Sequence, residues 1–157
     1  MRHSSHLRVG IVAAAGLAGG VQPLNAANVS FSGAVANLCV LTVSTPGTLG
    51  ISATGTVLSS EETGGASSIL AVVATGTNPT LSFAAPQLTG PGASLSGATK
   101  EISYTSPGGS GQSWTAASSS YVANRLLDTV TIRGRATNSA GFVTGAYSLT
   151  TTVTCQQ

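Results

Sequence analysis

The chain has 157 residues, of which only 6% are charged, and its formal net charge is +2. That length suits one domain, since domains usually contain ~100–150 residues. The excess cations, Arg2 and Arg8, lie in the first ten residues, so that four cations balance four anions from Ala27 onward. A neutral chain without a basic cluster argues against nucleic acid as a partner, because phosphate binding needs several clustered Lys or Arg. His3 and His6 also lie near the start, which excludes Ser-His-Asp and Cys-His catalysis from the remainder.

The first segment has the layout of a secretory signal peptide. A stretch with two arginines and no acid is followed by an uncharged apolar run, Val9–Gly20, and then by a short stretch that ends on a small residue. This order of regions is typical of a leader that is removed on export. The apolar run is too short for a transmembrane segment, which needs ~20 residues. We therefore predict a signal peptide over residues 1–26, with cleavage after Ala26 or, as the second choice, after Ala27.

The two cysteines, Cys39 and Cys155, are the only ones in the chain. An oxidising compartment favours a disulfide between them. The bridge would close a loop of 116 residues, which the chain-entropy model values at roughly 4–5 kcal/mol. The alternative, two free or metal-bound thiols, needs further ligands that the sequence does not supply.

The chain from Asn28 onward has the composition of a β-protein. Thr, Ser, Gly, Ala and Val dominate it, and clusters of Gly, Pro and Ser separate its apolar stretches. The predicted strands are Val29–Val35, Leu38–Val43, Ser68–Thr75, Thr80–Phe83, Lys100–Thr105, Leu126–Arg135 and Gly145–Cys155. About seven short strands between turns predict an all-β fold over residues 27–157, an immunoglobulin-like antiparallel β-sandwich.

The final segment carries the clearest strand pattern. Its residues alternate strictly with a period of two, so that one set of side chains shares a face of the strand. That set is Tyr147, Leu149, Thr151, Val153 and Cys155. The other face carries only Ser and Thr, namely Ser148, Thr150, Thr152 and Thr154.

Both ends of this β-region resemble a known family. The stretch Val29–Cys39 (VSFSGAVANLC) is similar to the opening of mature chaperone–usher pilus subunits, which runs V-x-F-x-G-x-V-x-N-x-x-C. The closing stretch, Gly145–Cys155 (GAYSLTTTVTC), resembles the last strand of pilins and of spore coat U-like secreted proteins. The chain has one residue fewer before its first cysteine than the family pattern.

The resemblance implies an incomplete immunoglobulin-like fold whose groove is filled by a strand from a neighbouring subunit. The donor strand would be Ala27–Phe31, with Val29 and Phe31 as the inserting side chains. The groove would be bordered by the first strand and by Tyr147–Val153, with Tyr147, Leu149 and Val153 as the candidate residues of the groove strand. The family pairs its first cysteine with one much nearer in the chain, whereas here the partner can only be Cys155. A self-complete sandwich, with both terminal strands in its own sheets, remains the alternative.

Trp114 is the one candidate for ligand binding outside the groove. It lies in a glycine-rich stretch, Pro107–Thr115, for which we predict a loop. An exposed indole can stack on a sugar ring. The alternative is that Trp114 packs over the end of the sandwich as part of the core.

The few charged side chains suggest surface roles. Arg133 and Arg135 share one face of a predicted strand and would protect an exposed sheet edge, or else contact a polyanion. Asp128 and Arg125 would pair at the surface, an interaction worth about 0–1 kcal/mol.

These features predict an exported, non-enzymatic, structural or adhesive component of the cell surface, a pilin-like fibre subunit in the periplasm, on the outer surface or in a fimbrium. Its partners would be further copies, other fibre subunits and a periplasmic chaperone, and no cofactor or metal is expected. The alternative is a monomeric extracellular or periplasmic module that binds a carbohydrate or another surface ligand. An enzyme ranks third, because the chain after the leader has no histidine and only four acids.

Overall fold

A computed structural model describes residues 29–76, 78–108, 111–123 and 125–157. The chain separates into two units, residues 1–33 and residues 34–157. The predicted signal peptide and its cleavage site lie outside the described residues. In the first unit, the described residues 29–33 form no strand and are exposed.

The second unit is mostly β-structure. Its first six strands are β1 (Leu38–Thr45), β2 (Gly50–Ile51), β3 (Val57–Ser59), β4 (Ser68–Thr75), β5 (Thr80–Phe83) and β6 (Gln87–Thr89). After a short helix, α1 (Gly92–Leu95), follow β7 (Thr99–Thr105), β8 (Gln112–Thr115), β9 (Ser119–Val122), β10 (Leu127–Thr137), β11 (Ser148–Thr150) and β12 (Val153–Gln156). No helix among the described residues has the length and apolar character required to cross a membrane.

The strands form antiparallel sheets of unequal size. The largest has seven strands in the order β1-β4-β10-β3-β2, with β7 paired to β10 and β8 paired to β7. A three-stranded sheet has the order β12-β5-β9, and β11 pairs with β6. The two small sheets are joined where the Ala84 N–H donates to the Thr152 carbonyl at 2.9 Å. β5 and β6 therefore run along β11 and β12 as one interrupted pair of strands.

The core lies between the large sheet and the three-stranded sheet. It contains Phe83 from the small sheet, which stacks on Tyr104 of β7 with ring centroids 4.0 Å apart. Tyr121 of β9 lies 5.6 Å from Tyr104, and both rings are buried. The aliphatic members around these rings are Leu70, Val72, Leu81, Ile102, Ala123 and Val130. The side chains of both sheets thus share one apolar interior.

The all-β prediction is confirmed, and the strands Ser68–Thr75 and Thr80–Phe83 have the predicted bounds. Several other strands are short and polar, which brings the described total to twelve rather than about seven. The prediction of a strand at Val29–Val35 is wrong. β4 ends at Thr75, opposite Leu38, so no partner strand remains for the residues that precede β1. The prediction of a loop over Pro107–Thr115 is also wrong at its end, because Gln112–Thr115 pairs with β7 as β8.

Candidate functional site

An open groove of about 550 Å³ lies between β1 and the C-terminal strands. Its walls and floor are mainly apolar, with contributions from β1, β4, β7, β10 and β11. The apolar residues that line it include Val43, Leu49, Leu70, Ile102, Ile132 and Leu149. Pockets of a few hundred Å³ with apolar walls are typical of binding sites.

Two free strand edges border the groove. β1 is the terminal strand of the large sheet, and β12 is the terminal strand of the three-stranded sheet. Within the described part of the chain, no strand pairs with the second edge of β1, β11 or β12. Such an edge presents a row of backbone N–H and C=O groups that can pair with another extended chain.

The last segment forms one border of the groove. Tyr147, Leu149, Thr151 and Val153 line it and are partly buried, whereas Ser148 and Thr150 reach the lining but are exposed, so the burial follows the predicted period of two. The strand is nevertheless interrupted, because residues 151–152 belong to neither β11 nor β12. The Thr151 hydroxyl donates to the Ala84 carbonyl at 2.7 Å, which keeps this break attached to the neighbouring strand.

A glycine on β10 shapes the floor of the groove. A Cβ atom at Gly134 would lie 2.8 Å from Cδ2 of Leu149, which is closer than van der Waals contact. The absence of a side chain at this position lets Leu149 rest directly on β10. Nothing local in the sequence distinguishes Gly134 from the other glycines, so this role could not be predicted.

The residues that precede β1 carry exposed apolar side chains. Residues 29–37, here called the leading segment, have no strand or helix and are all exposed. The exposed fraction is 77% for Val29, 95% for Phe31 and 83% for Val35. Three large apolar side chains therefore stand at odd positions within nine exposed residues, a longer exposed segment than the predicted donor Ala27–Phe31.

A disulfide joins the two borders of the groove at one end. Cys39 of β1 is bonded to Cys155 of β12, with their Cα atoms 6.2 Å apart. The Gln157 side-chain amide donates to the Leu38 carbonyl at the same end. The predicted disulfide is present, and β1 and β12 are held together there by two links. We call this the closed end, and the end at Pro46 and Tyr147 the open end.

Trp114 lies on the face of the large sheet that points away from the core. The guanidinium carbon of Arg135 sits 4.4 Å from the centroid of its ring, and Arg135 Nε is 2.7 Å from a carboxylate oxygen of Glu101. One face of the indole is thus occupied by a paired arginine, a cation–π contact. The prediction that Trp114 packs over the end of the sandwich is wrong, since it is not a member of the buried core.

The two arginines of β10 do not lie at a sheet edge. β10 pairs with β4, β3 and β7, so it is an interior strand, and the prediction of edge protection is wrong. Arg133 pairs instead with Glu61 at 3.5 Å, and both side chains are partly exposed. The salt bridges of Arg133 and Arg135 lie on the outer face of the sheet.

The prediction that Asp128 pairs with Arg125 at the surface is wrong, because Asp128 is only 6% exposed. Its Oδ2 accepts from the Ser106 and Tyr121 hydroxyls, and its Oδ1 accepts from the N–H groups of Gly108 and Thr129. Two of these donors, Ser106 and Gly108, lie 22 and 20 residues before Asp128, so no local signal could reveal the whole network.

Comparison of the chain with protein-family models, with curated proteins and with solved structures finds no match.

Proposed function

We propose that the protein is an exported structural subunit of a cell-surface fibre, which assembles by inserting the leading segment of one copy into the groove of the next. One observation carries this proposal: an apolar groove between two unpaired strand edges occurs in the same chain as an exposed, alternating apolar segment. An open sheet edge supplies backbone hydrogen bonds to an added strand, and pockets along it receive alternate side chains.

The two parts match in period and length. Along the groove border Tyr147–Val153 the burial of the side chains alternates, with four partly buried positions separated by exposed ones. The leading segment offers four positions with the same spacing, Val29, Phe31, Gly33 and Val35. We therefore extend the donor from Ala27–Phe31 to the leading segment as a whole. A seven-residue insertion would span about 20 Å at the usual rise of a strand.

We further propose that the fold is an immunoglobulin-like sandwich that lacks one strand. The core shared by the large and the three-stranded sheets supports a sandwich, and the free edges of β1 and β12 mark where the additional strand would pair. An inserted strand would cover the apolar groove and satisfy both edges.

Export to the periplasm or the cell surface fits the covalent structure. The Cys39–Cys155 disulfide is of a kind that persists in oxidising compartments, and the predicted signal peptide provides the route. Until a partner fills the groove, part of its apolar lining is open to solvent: Val43 is exposed, and Leu49 and Leu149 are partly exposed. A periplasmic chaperone that covers the groove before assembly is therefore the expected transient partner.

The test is assembly of the exported protein. Outer-cell fractions should contain fibres in negative-stain micrographs and ladders of multimers on gels run without boiling. Phe31→Asp should abolish both, because a carboxylate cannot enter an apolar groove without a large desolvation cost. Ser32→Asp is the matched control, since residue 32 points away from the groove in the proposed register. A parent protein that stays a folded monomer at every concentration would refute the proposal.

A further inference from the structure

We propose that the Cys39–Cys155 disulfide prevents the leading segment from folding back into the groove of its own chain, and so reserves that groove for a second copy. This inference rests on the proposed function, because it concerns which chain supplies the inserted strand. The choice matters physically, since a segment tethered to its own groove would meet it far more often than a segment from another molecule.

The spacing at the closed end leaves no room for an additional strand. Paired strands lie ~4.8 Å apart, so a strand inserted between two others holds them roughly 9.5 Å apart. The Cα atoms of Cys39 and Cys155 are only 6.2 Å apart. Any chain that lies between β1 and β12 must therefore stop before this pair.

The leading segment of the same chain starts on the wrong side of that barrier. It joins β1 at Leu38, one residue before Cys39, so the direct path into its own groove is a tight turn followed by passage between the bonded cysteines. The Thr75 hydroxyl donates to the Ala36 carbonyl at 2.7 Å and accepts from the Leu38 N–H at 2.9 Å. These bonds hold the entry to β1 against β4, on the side of β1 that faces away from the groove.

A detour to the open end is too long for the leading segment. From Leu38, the chain would have to run back beside β1 to the level of Val43, which uses about five residues at the usual rise of ~3.3 Å per residue. Only residues 27–32 of the predicted mature chain would remain for the turn and the insertion. Phe31 would then lie in the turn, and the groove border Tyr147–Val153 would stay largely uncovered.

A second copy meets neither obstacle. Its leading segment can enter at the open end with Val29 first, advance towards the disulfide and stop before Cys155. Its folded part stays outside the open end, attached through Asn37. The disulfide therefore acts as the stop at the end of the groove, and it selects insertion between molecules over insertion within one.

Hydrogen exchange of the full-length secreted chain tests this inference. In dilute oxidised monomer, the amides of residues 30–36 should exchange at the rate of unstructured chain, and in multimers they should be protected. In the Cys39→Ser/Cys155→Ser chain the segment can pass the former barrier. We expect these amides to exchange about tenfold or more slowly in its monomer, and we expect its multimers to decrease to a similar degree. Adding Phe31→Asp to this variant should remove the protection.

The outcomes separate the inference from the proposed function. Protection of residues 30–36 in the oxidised monomer would overturn the inference, as would a folded cysteine-free chain that assembles like the parent. Multimers of the parent would uphold the proposed function in both cases. If the cysteine-free chain does not fold, the test relies on the oxidised chain. Slow exchange of the amides of residues 30–36 in its multimers, with fast exchange in its monomer, supports the inference. A peptide of residues 29–37 should also bind the oxidised Phe31→Asp chain, and absence of both peptide binding and multimers would refute the two proposals together.

Discussion

The interior of the protein has a filled end and a groove end, although the same three strands contribute to both. β4, β7 and β10 place Val72, Tyr104 and Val130 in the filled end, and Leu70, Ile102 and Ile132 beside the groove. At the filled end, Phe83 and two tyrosines provide the volume that closes the core. At the groove end, small residues such as Ser60, Ala66 and Gly134 line the groove instead. Stability should therefore depend on the aromatic end, and association on the groove.

The largest expected effect is at the centre of the filled end. Phe83 is 1% exposed and stacks on Tyr104, so Phe83→Ala should lower the free energy of unfolding by about 3–5 kcal/mol, as buried aromatic truncations do. Urea denaturation of the monomer measures this change. Leu149→Ala in the groove is the comparison and should cost about 1 kcal/mol, since this side chain is only half-buried. Equal losses of unfolding free energy for Phe83→Ala and Leu149→Ala would show that the two ends contribute equally to stability.

Substitution of Asp128 should give the next largest loss of stability, because its hydrogen-bond network lies at the filled end. Both of its carboxylate oxygens accept hydrogen bonds, two from hydroxyls and two from backbone N–H groups. Asp128→Ala would remove both acceptor oxygens and leave these buried hydroxyl and N–H donors without them. We expect a loss of about 2–3 kcal/mol in the free energy of unfolding, the cost of orphaned buried donors. Ser106→Ala removes a single donor and should cost about 1 kcal/mol; a loss for Asp128→Ala no larger than this would contradict the role of the network.

The same network predicts how stability depends on pH. Burial raises the pKa of Tyr121 from 10.0 to about 12, partly offset by the hydrogen bond with Ser106 and reinforced by the negative charge of Asp128. The folded state then holds its phenolic proton more tightly than the unfolded chain, so this contribution is complete below pH 10 and is lost as pH rises towards 12. Urea midpoints measured between these values should fall for the parent. They should fall less for Tyr121→Phe, and identical slopes would refute the assignment.

The sequence predicted these two regions unequally. Ser68–Thr75 and the final segment were recognisable because a long apolar run or a strict alternation marks a strand locally. β8 and β9 were not, since their Ser, Gln and Thr residues carry no such pattern and pair only because β7 and β5 offer them an edge. The groove could not be predicted from local patterns, because its floor combines residues from strands far apart in sequence. The burial of Asp128 could not be predicted either, because it depends on donors up to 22 residues away.

Gly134→Ala should have the smallest effect on stability and yet impair assembly. The new methyl group would meet only the end of the Leu149 side chain, which can rotate away, and alanine restricts the unfolded chain more than glycine does. The free energy of unfolding should therefore change by less than about 1 kcal/mol. The displaced Leu149 would move into the groove and occupy space that an inserted strand needs, so binding of the 29–37 peptide should weaken about tenfold, or roughly 1.4 kcal/mol. The free energy of unfolding is measured by thermal or urea denaturation of the monomer. The peptide affinity is measured by titrating the 29–37 peptide into Gly134→Ala in the Phe31→Asp background. Because the residue lies in the floor of the groove and outside the aromatic core, unchanged peptide affinity would show that the groove is not where a second chain binds.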